Sequence, residues 1–397
     1  MPAGTQIILS LPWVALLLMM PLMLLRRPRL TTFAPPPPGG APLVSIIVPA
    51  RNEAVNISVC LASLLNSDYP DFEIIVVNDG SSDGTEDIVR ILAEHSEGRI
   101  HLIEGEPLPE GWLGKPWACW QGYQHAKGKL LLFTDADTRH EERLLGHAVG
   151  ALLIRRADLV SVLPRQLMVG IWERLILPHI FALISLRFTN LERVNRTRVP
   201  RHVIANGQFM LVRRDVYESI GGHEALRAEI VEDQRFAQRM VIAGRQIFIA
   251  HAETLMETRM YRSLGGIIEG WTKNLATGSR QAAPEWAAPF VPWIIALFLT
   301  GMWVLPPLTL LLSLVTPLAG SVKGWSIAVT AASVVFWLIG YAIQRVPLLF
   351  ALAYPIGAIA AAGIFIRSAL RGRRVGWKGR EYRMAPDGGA VERAQGV

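Results

Sequence analysis

Cysteine is almost absent: the 397 residues contain two, Cys60 and Cys119. Two cysteines at that spacing make neither a disulfide framework nor a metal cluster, and they suit a reducing cytoplasmic compartment. Histidine forms no cluster either, because nothing with metal-site spacing surrounds His202 or His251. Basic residues are missing ahead of the first apolar run. That run is therefore not a cleaved signal peptide, whose positive charge precedes its apolar core. The polar middle of the chain lacks a basic face interleaved with aromatics. This argues against a nucleic-acid partner, although the isoelectric point is about 9.7.

What is present is long apolar tracts. Mean hydropathy is +0.30, and the apolar residues are gathered rather than spread. Residues 7–25 are nearly all apolar, about the length that crosses a bilayer. Further tracts cover 289–319, 326–343 and 347–366, the first broken at Pro306-Pro307. Residues 43–283 have the charged and apolar mix of a soluble domain. The chain thus reads as an integral membrane protein with a soluble domain between its membrane segments. Arg26, Arg27 and Arg29 follow the first tract, and Arg367, Arg371, Arg373, Arg374, Lys378 and Arg380 follow or end the last. Positive-inside logic puts both flanks, and the domain between them, in the cytoplasm. That requires an even number of crossings after the domain, whereas three blocks are odd. The broken first block as two short crossings or a re-entrant hairpin makes the count even; a helix lying flat on the membrane is the other solution. Beside an acidic lipid surface, these flanks account for most of the high isoelectric point.

In the soluble part, residues 43–48 form a β-branched run ended by Pro49 and read as a buried parallel strand. A helical pattern covers 56–67. A second strand, 73–77, stops at a turn over 78–84, with Asp83 as N-cap of a helix over 84–95. Residues 99–103 and 129–134 are further strands, separated by a helix over 116–126. This alternation predicts a doubly wound α/β sheet. Ligands bind such sheets beyond the carboxyl ends of the strands. Pro49, Ala50 and Glu53, then Asp79, then Asp135 and Asp137 all fall there. Asp135 and Asp137 lie one residue apart, and two such charges repel by about 1 kcal/mol in water and several times that in a closed site. A group of opposite charge belongs beside them. Trp112, Trp117 and Trp120 read as packing residues.

Four segments together resemble the family-2 glycosyltransferases, with their GT-A nucleotide-sugar fold: VSIIVPARNE (44–53), EIIVVNDGSSDGT (73–85), FTDADT (133–138) and VEDQRFAQRM (231–240). They occur in the family's order across nearly the whole soluble domain. The resemblance implies an α/β GT-A mixed sheet with transmembrane helices. It implies a nucleotide-sugar donor, most simply a UDP-sugar, with Asp79 at the uracil edge and Pro49, Ala50 and Glu53 at the nucleoside. Asp137 would ligate a divalent cation, Mg²⁺ or Mn²⁺, with Asp135 at the ribose or metal and Ala136 at the donor. A hard cation of this kind binds through one or two carboxylates plus substrate phosphates, and it screens the aspartates. Asp233 would be the general base and Glu232 its neighbour on base or sugar. GWLGKPWA (111–118) resembles a segment of lipid-directed members, with Lys115 facing the donor. ANGQFMLVRR (205–214) resembles the strand under the donor sugar, where Asn206 and Gly207 leave room for the ring.

One departure matters. Processive polysaccharide synthases carry Q-x-x-R-W after the acid pair; here the region reads ETRMYRS (257–263) and EGWTKN (269–274). That argues against a polymerase and leaves Arg259 and Arg262 as phosphate or membrane contacts. The pattern is similar to carotenoid- and hopanoid-associated members, which place one sugar on an apolar acceptor. The implied layout is an anchor (1–28), a Pro/Gly linker (29–42), a cytoplasmic catalytic domain (43–258), an amphipathic interface helix (259–284), crossings (285–368) and a basic tail (369–397). In the interface helix, Trp271 and Lys273 would anchor to the headgroup layer. The implied partners are the donor, a lipid acceptor and the membrane. A polysaccharide synthase or an inactive nucleotide-binding scaffold is the alternative.

Overall fold

The computed structural model describes residues 3–25, 27–371, 374–377, 380–384 and 390–392. Arg26, Arg373 and Lys378, counted above among the basic flanks, lie outside the described residues. The chain divides into two compact units. One is α/β and comprises Pro28–Leu167, Leu191–Met260 and Arg373–Val397. The other is helical and comprises Met1–Arg27, Met168–Asn190 and Tyr261–Gly372.

The α/β unit is built on β1 (Val44–Ala50), β2 (Phe72–Asn78), β3 (Ile100–Glu104) and β4 (Leu130–Thr134). Ile, Val and Leu dominate β1, β2 and β4, and every residue of β2 and β4 is buried. Parallel strands covered on both faces have no polar side to alternate with, which is why these runs read as continuous. A short strand, β5 (Thr138–His140), follows β4. Then come β6 (Leu159–Leu163), β7 (Arg165–Gln166), β8 (Phe209–Arg213), β9 (Ile247–His251) and β10 (Met256–Thr258). The main sheet runs β3-β2-β1-β4-β8-β6-β9. It is mixed, because β8 lies antiparallel to both β4 and β6. A second sheet orders β5-β10-β7, and the C-terminal strands β11 (Arg374–Trp377), β12 (Arg380–Met384) and β13 (Ala390–Glu392) make a third.

Ile46, Val48, Ile74, Val76, Leu132 and Phe209 pack in the main core. The helix Ile57–Leu65 carries Ile57, Cys60, Leu61 and Leu64 on its buried face, the spacing of a one-sided helix. Ile75 and Val77 point to the opposite face, against Ala118 of the helix Gly114–His125. Each fully buried Val or Ile contributes about 1.5–3 kcal/mol, and Ile46→Ala would cost about 2–5 kcal/mol.

Two local expectations are corrected. Pro49 does not end its strand: it pairs with Val77, and Ala50 with Asn78. Pairing with β4 stops at Ile47, so the N–H that proline lacks is not needed in that ladder. Gly84, not Asp83, holds the N-cap of the helix Thr85–Glu94, at φ 84°. That left-handed backbone costs glycine nothing. Asp83 acts beside it, its carboxylate accepting from the Thr85 N–H at 3.1 Å and the Ala54 N–H at 3.0 Å.

Among the described residues, the helical unit contains three helices long and apolar enough to cross a membrane, covering Gly4–Pro21, Gly320–Ile343 and Leu348–Arg371. The pair Val291–Trp303 and Leu305–Val315 passes the same test only together, bent by 40° at Val304, with Pro306 and Pro307 in the first turn of the second helix rather than at the break itself. Inside, Trp303 stacks on Phe336 and meets Trp337 edge-on. Outside, Leu297, Val315 and Leu349 are each more than 70% exposed, which suits lipid better than water. The helix Ile171–Arg187, inside the 43–258 range, groups with this unit. So does the helix Leu264–Gln281, capped by Ser263. Its Ile267, Trp271 and Leu275 are buried within the unit, Trp271 against Phe181 and Tyr261. Trp271 is therefore a packing residue and not an anchor presented to headgroups.

Candidate active site

The register of the sheet brings the sequence clusters together. Ala50 is opposite Asn78, and Asn78 opposite Glu104, so the parallel strands end on one edge. The loops beyond β1 and β2 are tied to each other. Asn52, at φ 52°, accepts from the Ser82 N–H at 2.9 Å, and the Ser81 hydroxyl accepts from the Asn52 N–H at 3.1 Å. Arg51 donates to the carbonyls of Asp79 and Gly80. The Glu53 N–H donates to Thr85 Oγ1 at 2.8 Å, and its carboxylate accepts from the Asn56 amide at 2.8 Å. Asp79 follows β2, its N–H donating to the Ala50 carbonyl at 2.8 Å, and its carboxylate pairs with Arg380.

Beyond β4, Asp135 and Asp137 flank buried Ala136. The positive group their repulsion calls for is Lys115. Its Nζ lies 2.7 Å from Asp135 Oδ1 and 2.8 Å from Glu232 Oε1. One ammonium thus joins an aspartate of the first acid cluster to the glutamate of the second. Burial alone would lower the lysine pKa, but the two carboxylates outweigh it and hold it well above its usual value. Lys115 comes from the N-terminal turn of Gly114–His125, and Glu232 opens the helix Glu232–Ile242, where acids suit the dipole.

Asp233 is fixed by backbone. Its Oδ2 accepts from the Gly207 N–H at 2.9 Å and its Oδ1 from the Gln234 N–H at 2.7 Å. Burial, then the neighbouring Glu232 charge, push its pKa up to about 6, against the opposing pull of Lys115 and these N–H groups. Space at Gly207 is tight: a Cβ there would lie 3.2 Å from Lys115 Nζ and 3.3 Å from Asp233 Oδ2. Asn206 is occupied structurally, its amide donating to the Val162 carbonyl and to Gln208 Oε1, both at 3.2 Å.

The sequence reading missed what holds the Asp135–Asp137 turn. The Thr138 hydroxyl donates to the Asp135 carbonyl at 2.7 Å and meets His140 Nε2 at 2.9 Å. Thr134 Oγ1 donates to the Gln208 carbonyl at 2.7 Å and lies 3.2 Å from the same His140 nitrogen. The Thr258 hydroxyl donates to the Asp137 carbonyl at 3.2 Å, and Gln208 donates to Thr258 at 3.4 Å. Burial drives the His140 pKa down to about 3, so this network is neutral. The available signal was the threonine on each side of the acid turn. Trp112 and Trp117 pack edge to face at 5.0 Å, as packing residues do. Arg259 lies in the α/β unit next to Thr258, and Arg262 in the helical unit.

Among the described residues, no cluster of three or more His, Cys, Asp or Glu side chains could hold a metal by itself. The two aspartates on one turn offer only hard oxygen donors. That set fits a Mg²⁺- or Mn²⁺-type ion whose remaining ligands are phosphate oxygens and water.

The carboxyl edge of this mixed sheet thus gathers two acid clusters around one lysine. Residues 45–221 match the family model described as Glycosyl transferase family 2, and the chain carries a family 2 glycosyltransferase domain. It is 29% identical over 258 residues to the 4,4'-diaponeurosporenoate glycosyltransferase of Staphylococcus aureus (strain MRSA252), covering 63% of this chain and 65% of the relative. The enzyme of the same name in strain USA300 is 28% identical over the same shares. The match therefore spans just under two thirds of the length of these relatives. Among solved structures, mannosyltransferase PcManGT from Pyrobaculum calidifontis, in complex with GDP-Man and Mn²⁺, has a TM-score of 0.54 at 20% identity. That likeness covers 93% of this chain and 97% of the other, and it is a likeness of fold.

Proposed function

We propose that this protein is a membrane-bound, metal-dependent, inverting glycosyltransferase that moves one sugar from a UDP-sugar to a lipid acceptor. The observation that carries the reading is the Asp233 clasp: a carboxylate tied by the Gly207 and Gln234 N–H groups, one residue from the Glu232–Lys115–Asp135 chain. A base with a pKa near 6 is mostly ionised at neutral pH yet basic enough to accept a proton. Asp233 takes the proton of an acceptor hydroxyl. The freed oxygen forms its bond to the anomeric carbon as that carbon's bond to phosphate breaks, and the nucleoside diphosphate leaves. Attack opposite the leaving group inverts the carbon. A carboxylate acceptor has no proton to give, so it would lean on Asp233 far less than a hydroxyl.

Asp79, Pro49, Ala50 and Glu53 bind the nucleoside, and Asn206 and Gly207 floor the sugar. Asp137 with Asp135 would hold a divalent cation, which would neutralise charge on the diphosphate. PcManGT carries Mn²⁺ with its nucleotide sugar, which supports this assignment. Lys115 compensates Asp135 and Glu232 and keeps the two acid clusters at a fixed separation.

The name of the Staphylococcus relatives and the lipid-suited outer face of the helical unit support an apolar acceptor. Arg27 and Arg29 after the first apolar helix support a cytoplasmic domain. The pairing of Arg380 with Asp79 supports a C-terminal segment on the same side of the membrane as the domain. It supports an even number of crossings between them, as when the bent helix pair is re-entrant.

The test is transfer of labelled sugar from UDP- and GDP-sugars by the purified protein in detergent, with Mn²⁺ or Mg²⁺ and host lipids, beside Asp233→Asn. Label in an organic-extractable product, dependent on metal and Asp233, is the expected result. Label in a water-soluble polymer would make it a polysaccharide synthase.

A further inference from the structure

Arg380 opens β12, opposite Trp377 of β11. Across 301 residues of sequence, its Nη1 reaches Asp79 Oδ2 at 2.6 Å. The pair is enclosed: the arginine side chain keeps 14% of its surface and the aspartate 6%. Asp79 stands at the carboxyl edge of the sheet, where the loops beyond β1 and β2 are laced together. In the reading given above, on which this inference rests, that carboxylate accepts from the edge of the donor's base.

A carboxylate can accept several hydrogen bonds, so the conflict between a base N–H and the Arg380 N–H is one of space rather than of lone pairs. With 6% of the side chain exposed, a heterocycle has no face to lie against until the arginine leaves. We propose that the C-terminal strands are a self-inhibitory latch: Arg380 occupies the nucleobase seat at Asp79, and the donor binds by displacing it. The guanidinium stands in for the base as a hydrogen-bond donor and brings positive charge to an enclosed carboxylate.

Two consequences follow from the thermodynamics. Apparent donor affinity is the intrinsic affinity reduced by the open fraction, so a latch closed about nine-tenths of the time weakens binding roughly tenfold. By reciprocity, the nucleotide must loosen the tail as much as the tail weakens the nucleotide.

The test uses the full-length protein in detergent and UDP with Mn²⁺ as probe, read by calorimetry, with GDP in parallel. Arg380→Ala is expected to tighten UDP about tenfold, and Arg380→Lys, which keeps the charge but loses the planar fork, by less. Hydrogen exchange in the peptide spanning 380–384 should rise when UDP is added to the wild type. Weaker UDP binding by Arg380→Ala would make the arginine part of the donor site and overturn the latch. So would unchanged affinity, or UDP protecting residues 380–384. If neither wild type nor either variant binds UDP or GDP, the donor reading itself falls and the latch with it.

Discussion

The two acid clusters of the site are made of the same chemistry and held in opposite ways. The Asp135–Asp137 turn hangs on neutral hydroxyls and an imidazole beneath it, while the Asp135 side chain, 27% exposed, reaches out to Lys115. The Glu232-Asp233 pair stands at a helix start. There Glu232 takes the lysine and Asp233 is clasped by backbone N–H groups. One cluster offers hard oxygen ligands; the other contains a carboxylate whose pKa burial lifts to about 6. Environments of this kind assign separate jobs to identical side chains. Because Lys115 touches one member of each, a change at the lysine is felt by both.

The sharpest way to break this comparison is Asp233→Asn. If the division of labour holds, transfer to a hydroxyl acceptor falls by about 10²–10⁴, the range of general-base catalysis, while UDP affinity stays within about twofold. Equal loss of UDP binding in Asp233→Asn and Asp137→Asn would show the clusters to be one site with one role. Next in size is Lys115→Met, which keeps the length and removes the charge. Breaking a buried pair costs about 3–5 kcal/mol, and with 18% of the lysine side chain exposed the expected loss is nearer 2–3 kcal/mol, read by denaturant unfolding in detergent.

The pH dependence follows with a definite sign. As the proposed base, Asp233 would work ionised, so kcat should be low below its pKa, rise through pH of about 6 and level above it. Lys115 lowers that pKa, so the acid limb of Lys115→Met should move to higher pH. A limb that stays in place would sever the link between the clusters. Gly207→Ala is milder. Its new Cβ stands 3.2–3.3 Å from Lys115 and Asp233, and they must give by a few tenths of an ångström. A 1 Å misplacement costs roughly 10²-fold, so about a tenfold loss of kcat is expected, with the fold intact by thermal melting.

What could be read from the sequence was local. Short β-branched runs closed by turn residues marked the parallel strands within a residue or two, because burial on both faces leaves its trace in consecutive positions. Asp79, Asp135, Asp233 and Lys115 could be singled out because each belongs to a recognisable segment, and the structure brings Lys115 to Asp135 and Glu232. Partners brought by topology were not legible. Gln208 and Thr258 reach the acid turn from β8 and β10, and Arg380 reaches Asp79 from the far end of the chain. Periodicity also left the partner of a helix undetermined. The aromatic and apolar face of Leu264–Gln281 suits a headgroup layer as well as a helical bundle, and Trp271 turned out to be enclosed. The Asp83 cap missed by one residue because a left-handed φ is a property of backbone path, which glycine permits but does not announce.

The smallest predicted effect tests the network under the acid turn. Thr138 is the residue that meets the Asp135 carbonyl, His140 and Thr134 through one hydroxyl. Thr138→Val keeps the shape and removes that hydroxyl. The Asp135 carbonyl is then left with the Cys60 thiol at 3.7 Å, a weak donor, while His140 keeps Thr134 at 3.2 Å. The cost in stability should be about 1 kcal/mol, the net value of one hydrogen bond. The informative readout is the Mn²⁺ concentration for half-maximal activity, which should rise about two- to fivefold as the turn loosens. Thr138→Ser, which restores the hydroxyl and loses only a methyl, should return it to the wild-type value. A purely packing role would reverse the order, with valine silent and serine impaired, and the neutral network would then be scaffolding for the sheet rather than the support that aims its carboxylates.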